Sequence, residues 1–210
     1  RLNACINNQM NDNYNILIRK LDKFIRKYYS NLLIKGVLYF VSVSVLFFIL
    51  INVFEYYAHL GIIARTILFY SFLSINSLIL IKLIIIPLFN LYKIGKIISH
   101  EKAAKIIGNH FVDIQDKLLN TLQLHENLDN TSNNDLLLAG IDQKISKLKP
   151  FSFTKAIDLS KNKKYLKYVL PPVLILILVL FVAPKVITEP TKRIIKHQVY
   201  FEKENPFDIV

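Results

Sequence analysis

The chain has 210 residues, 53% hydrophobic and 20% charged, with a mean hydropathy of +0.36 and a formal charge of +12. That balance excludes an ordinary soluble domain and a disordered basic tail alike. Five Gly and seven Pro exclude a collagen-like or Gly-rich chain, and the single Cys5 excludes an intrachain disulfide framework or a Cys-based zinc site.

In chain order, residues 1–9 precede the only methionine, Met10, and read as a non-native leader. Over 10–35, Leu17, Leu21, Phe24, Ile25, Tyr28 and Leu32 recur at helical spacing among Arg19, Lys20, Lys23, Arg26 and Lys27. This predicts a basic amphipathic helix lying on the inner membrane surface. The uncharged run Gly36–Phe54 follows and predicts a first transmembrane helix over 36–54, closed by Asn52, Glu55, Tyr56 and Tyr57. Residues 55–65, with Glu55 and Arg65 as their only charges, read as a short outer loop.

A second uncharged run, Thr66–Ile81, is followed by Lys82 and the apolar Leu83–Phe89, which Pro87 interrupts. Either the span ends near Lys82, or the helix continues over 66–89 and Lys82 snorkels to the interface; we place the second span over 66–89, with Lys82 read as an anchor ahead of a transport residue. Residues 90–167 have the composition of a soluble helical module. Ser99 can cap a helix holding Ala103, Ile106 and Ile107, which ends near Gly108-Asn109; a second runs about Ile114–Leu124. Asn127–Asp135 is a polar linker, and Leu137, Ile141, Ile145 and Leu148 mark a third helix stopped before Pro150.

The third uncharged run, Tyr168–Pro184, predicts a span over 168–187, with Pro171-Pro172 in its first turns, where missing N–H groups cost least. Residues 188–210 read as the start of an extracytoplasmic domain. Val199–Val210 has strand composition, so a truncated β domain is expected there. The fold class expected is therefore an all-α membrane protein: three transmembrane helices, a small cytoplasmic helical module, and the beginning of an outer β domain.

Lysine and arginine set the expected orientation. Residues 10–35 carry a net +4 and 82–167 a net +6, so +10 of the +12 lies in two segments. The positive-inside rule assigns both to the cytoplasm, with the hairpin and the C-terminal end outside. Arg19, Lys20, Lys23, Arg26, Lys27, Lys35, Lys82, Lys161, Lys163, Lys164 and Lys167 become membrane-interface anchors, and the anionic inner leaflet their partner. Lys185, Lys192, Arg193 and Lys196 point the other way, partly balanced by Glu189, Glu202, Glu204 and Asp208.

No constellation of chemistry emerges, and no catalytic, cofactor or metal residue is assigned. Gly95-Lys96 lacks the first glycine and the hydroxyl of a phosphate loop. His100-Glu101 has no second histidine four positions on; His100 and His110 read as polar surface residues, and Asp113, Asp116 and Asp142 as scattered acids. The basic charge comes without a stacking motif, so no nucleic-acid partner is expected.

Five stretches carry a family resemblance: 17–29, 98–111, 116–124, 156–162 and Thr188-Glu-Pro-Thr-Lys-Arg-Ile with Tyr200-Phe-Glu-Lys. From Met10 onward the chain resembles the N-terminal part of a family of large multi-pass bacteroidete envelope proteins of unknown function. The resemblance implies a long extracytoplasmic region with sandwich-like and helical parts. Some members carry an automatic ATPase label, which no residue of this sequence supports. The function expected is a non-enzymatic inner-membrane anchor for a large outer domain in envelope assembly or secretion, with envelope protein partners. The alternative is a transporter or sensor subunit using Lys82 and Asn76 with Ser42 and Ser44.

Overall fold

Helix α1 runs from Leu2 to Ala58 without a break, in a computed structural model that describes residues 2–92, 98–126 and 134–201, without the side chains of 2–11, 112 and 134–139. The amphipathic segment and the first span, expected as separate elements, are one helix. Nothing between them can stop it: there is no proline, and one interior glycine costs only about 1 kcal/mol. Helix α2 (Ile62–Leu80) follows after three residues and passes through a π-helical turn (Ile81–Ile85) into α3 (Ile86–Leu91). Then come α4 (His100–Gly108), α5 (Gln115–Glu126), α6 (Asn134–Leu148), α7 (Lys163–Val182) and α8 (Lys185–Ile195). Among the described residues there is no strand.

The chain divides into two compact units, Arg1–Asn31 with Leu88–Ser160, and Leu32–Pro87 with Lys161–Val210. The first is a conventional helical module. Ser99 caps α4 by accepting the Lys102 N–H, and Ala103, Ala104, Ile107, Leu118, Leu122, Ile141, Ile145 and Leu148 are buried. The α1 stripe of Leu17, Leu21, Phe24 and Ile25 is buried in the same core. This corrects the surface-lying helix: that apolar face is covered by protein rather than lipid. Polar ties fix its register. Asn13 donates to Asp142 at 2.6 Å, Lys27 to the Thr154 carbonyl at 2.8 Å, and the Ile98 N–H to the Tyr29 hydroxyl at 3.0 Å. Leu137, residues 127–133 of the expected linker and Gly95-Lys96 lie outside the described residues or side chains, and the linker's last two residues, Asn134 and Asp135, begin α6.

The second unit holds the apolar helices. Among the described residues, three helices are long and apolar enough to cross a membrane, a multi-pass architecture. Their outward faces are apolar: Leu50, Phe54, Ile63, Ile67, Leu78 and Phe181 are all exposed. Tyrosines mark both ends of α1's apolar stretch, and Tyr39 and Tyr56 are separated by about 25 Å of helix rise, close to the hydrocarbon thickness.

Boundaries move in three places. The 55–65 loop shrinks to residues 59–61, because α1 extends to Ala58 and α2 starts at Ile62. His59, at φ 45°, ends α1 in the left-handed conformation usual after a helix C-terminus. Helix α7 begins at Lys163, so Pro171-Pro172 sit in its interior rather than in its first turns. Where the outer β domain was expected to start, residues 185–195 form α8, with Ile187, Pro190 and Ile194 on its buried face. Val199–Phe201 carries no strand, and 202–210 lies outside the described residues.

Internal prolines leave carbonyls without their usual N–H donors; the first span supplies a donor to one of them and closely approaches another. Pro172 cannot donate to the Tyr168 carbonyl, which instead accepts from the Ser42 hydroxyl at 2.7 Å. Pro87 cannot donate to Leu83, whose carbonyl faces Gly36 so closely that an added Cβ would overlap its oxygen and lie 2.9 Å from its carbon. The π turn just before Pro87, where the Ile86 N–H reaches back to the Ile81 carbonyl, absorbs the remaining misfit.

Candidate functional site

The most concentrated buried polarity of the second unit lies where the α1–α2 hairpin meets α8. Asn52 and Glu55 occupy one face of α1, three residues apart. Glu55 Oε1 accepts from Arg65 Nε at 2.8 Å, with the two side chains 0% and 5% exposed. Its other oxygen accepts the Leu60 N–H at 3.3 Å, so one carboxylate holds both the start of α2 and the turn before it. The Arg65 guanidinium sits over the Phe201 ring, 5.2 Å from its centroid.

Asn52 completes the collar. Its amide nitrogen donates to the Phe48 carbonyl at 2.8 Å, while its oxygen accepts from the Thr191 hydroxyl of α8 at 2.7 Å. The His197 ring, just past α8, stacks on Phe69 with centroids 4.8 Å apart and meets Tyr70 edge-on. An apolar cavity of about 190 Å³ lies beside Asn52 and Thr191, walled by Phe48, Phe69, Phe72 and Ile194.

These groups engage one another. Both Glu55 oxygens are used, the ion pair is mutually neutralising, and Asn52 is satisfied on both sides. Such an arrangement fixes geometry. It sets the angle of the hairpin and clamps the helix that follows the third apolar segment. Deeper in the spans, Ser44 donates to Asn76, and Asn76 donates to the Phe72 carbonyl. Among the described residues, no group of three or more His, Cys, Asp or Glu side chains is placed to share a metal ion.

The cations named from sequence separate into distinct settings. Lys20 donates to the Lys149 and Phe151 carbonyls and Lys27 to Thr154, so both are engaged inside the first unit. Arg19, Lys23 and Arg26 are exposed on α1 and line a cleft of about 440 Å³ with Asp22, Leu91 and Tyr92. In the second unit, Lys35 and Lys164 flank the Tyr165 ring and Lys167 covers Tyr168, an aromatic–cationic band of the kind found at membrane interfaces. Lys161 and Lys163 are exposed, as is Lys82 within the π turn. His100 Nε2 lies 3.2 Å from Asp22, and His110 is exposed.

Sequence reasoning missed the collar. It treated Glu55 and Arg65 as loop charges, although each borders an uncharged window and no other formal charge lies between them. It also missed α8, although Ile187, Thr191 and Ile194 recur at helical spacing, with Lys192 and Arg193 in the last turn suiting a helix C-terminus. Comparison with protein-family models, with curated proteins and with solved structures finds no match to this chain.

Proposed function

We propose that the chain is a non-enzymatic anchor of the bacterial inner membrane, whose three spans hold an extracytoplasmic region for envelope assembly or secretion. On this reading the N-terminus and the helical module are cytoplasmic, and the hairpin, collar and α8 lie outside. The carrying observation is the Asn52–Thr191 tie, which joins the helix after the third span to the hairpin of the first two. An anchor needs such a joint, because force on the outer segment must reach the spans without unwinding them.

The lysine distribution supports the orientation, and the resemblance to large bacteroidete envelope proteins supports the setting and the envelope partners. The polar residues of the spans, tied in pairs, favour a scaffold over an aqueous path. A reporter-fusion and protease-protection map tests the proposal. Reporters after residue 150 should read cytoplasmic and those after residue 200 extracytoplasmic; a cytoplasmic reading at 200 overturns it.

One observation favours a second reading, a transporter or sensor subunit. Lys82 sits in a π-helical turn, a local geometry often associated with function. Lys82→Leu should then abolish activity, whereas an unchanged phenotype leaves the anchor.

A further inference from the structure

We propose that Arg19, Lys23 and Arg26, together with Tyr92, form a discrete binding site for the phosphate of an anionic phospholipid headgroup. The three cations stand at i, i+4 and i+7, so they share one face of α1 over two turns. All three are exposed, Arg19 Nε donating to the Asn15 carbonyl at 3.3 Å, whereas the Lys20 and Lys27 ammonium groups are held by backbone carbonyls of the module. They line a cleft of about 440 Å³, a volume in the range of small-ligand sites.

The opposite wall identifies the ligand. Leu91 is the last residue of the second apolar segment, Ile62–Leu91, and Tyr92 follows it. A phosphate between the guanidinium groups would therefore have an apolar chain end within reach and a phenolic O–H as a further donor. That combination fits an amphiphile whose anionic head is read by arginine and whose apolar part packs on Leu91. Asp22, the one acid in the wall, has His100 Nε2 3.2 Å from its carboxylate, and its single charge is outnumbered by the three cations. The site deepens the anchor reading by naming the lipid partner of the α1 cations, and it rests on that reading for its leaflet.

The test uses the full chain in mild detergent, titrated with phosphatidylglycerol, phosphatidylcholine and inorganic phosphate, with bound ligand counted by native mass spectrometry. One saturable phosphatidylglycerol per chain is expected, with phosphatidylcholine and phosphate far weaker. The variant R19Q/K23Q/R26Q should lose affinity on the order of a hundredfold, and R26Q alone about fivefold. K102Q/K105Q/K117Q, which removes the same charge from exposed positions elsewhere in the module, should bind within about twofold of the parent. Equal loss in that control overturns the site in favour of diffuse charge. Equal competition by phosphate overturns the lipid as ligand, and absence of saturation overturns both. The single variant keeps the test valid if the triple one fails to fold. Detergent-solubilised protein has no sides, so failure here leaves the membrane topology standing, and a reversed reporter map refutes the anchor without touching the lipid affinity.

Discussion

The two units are held together by opposite means. In the first, the interior is apolar, built from residues such as Leu21, Phe24, Ile107 and Leu118, and the polar ties run around it. In the second, Leu50, Phe54 and Phe181 face outward, while Asn52, Glu55 and Arg65 are buried. Water drives apolar side chains together in the first unit, but lipid offers no such drive between helices. Helix pairing in the second unit must therefore be specified by hydrogen bonds, an ion pair, close backbone approach and the satisfaction of carbonyls that prolines leave open.

That contrast can be broken at defined points. The largest effect is expected at the collar. Glu55→Ala leaves the Arg65 guanidinium buried without its partner, at a cost of about 3–5 kcal/mol, read as a fall in unfolding midpoint in detergent. Replacing both residues by leucine should recover most of that loss; failure to recover would show that the pair does more than neutralise itself. In the first unit, Leu21→Ala should cost about 2–5 kcal/mol through loss of packing, with no polar double variant able to restore it.

Smaller effects sharpen the difference. Gly36→Val must push the Leu83 backbone away, an overpacking cost of about 1–3 kcal/mol. An unchanged midpoint would mean that the α1 contact at the π turn is loose. Ser42→Ala strips the donor from the Tyr168 carbonyl and should cost about 1 kcal/mol. The same change in a Pro172→Ala background should cost less, because the restored N–H at 172 satisfies that carbonyl within α7. Additive losses would sink the assignment of Ser42 as the carbonyl's substitute donor.

Much of the architecture was legible in the sequence. Three uncharged windows marked the apolar helices, Ser99 marked the start of α4, and the spacing of Ile141, Ile145 and Leu148 marked α6. Two kinds of feature were not. Periodicity shows that Leu17, Leu21 and Phe24 share a face, but not whether lipid or α4–α6 covers it, since both are apolar. Composition made Val199-Tyr-Phe strand-like and drew attention from the Ile187, Thr191, Ile194 spacing. Pro184 and Pro190 flanked or interrupted that spacing and concealed a helix that tolerates both.

The candidate site divides the same way. Glu55, Arg65 and Asn52 were visible as polar residues at the edge of the apolar windows, and the cations of α1 were visible as charge. Sequence by itself determined where apolar helices form, because hydrophobic run length and the cost of unpaired backbone in lipid are local properties. Tertiary structure alone decided which carbonyl Ser42 serves, which helix Thr191 is tied to, and which cations remain exposed. Those outcomes depend on residues up to 139 positions apart meeting within hydrogen-bond distance, and no window of sequence contains both partners.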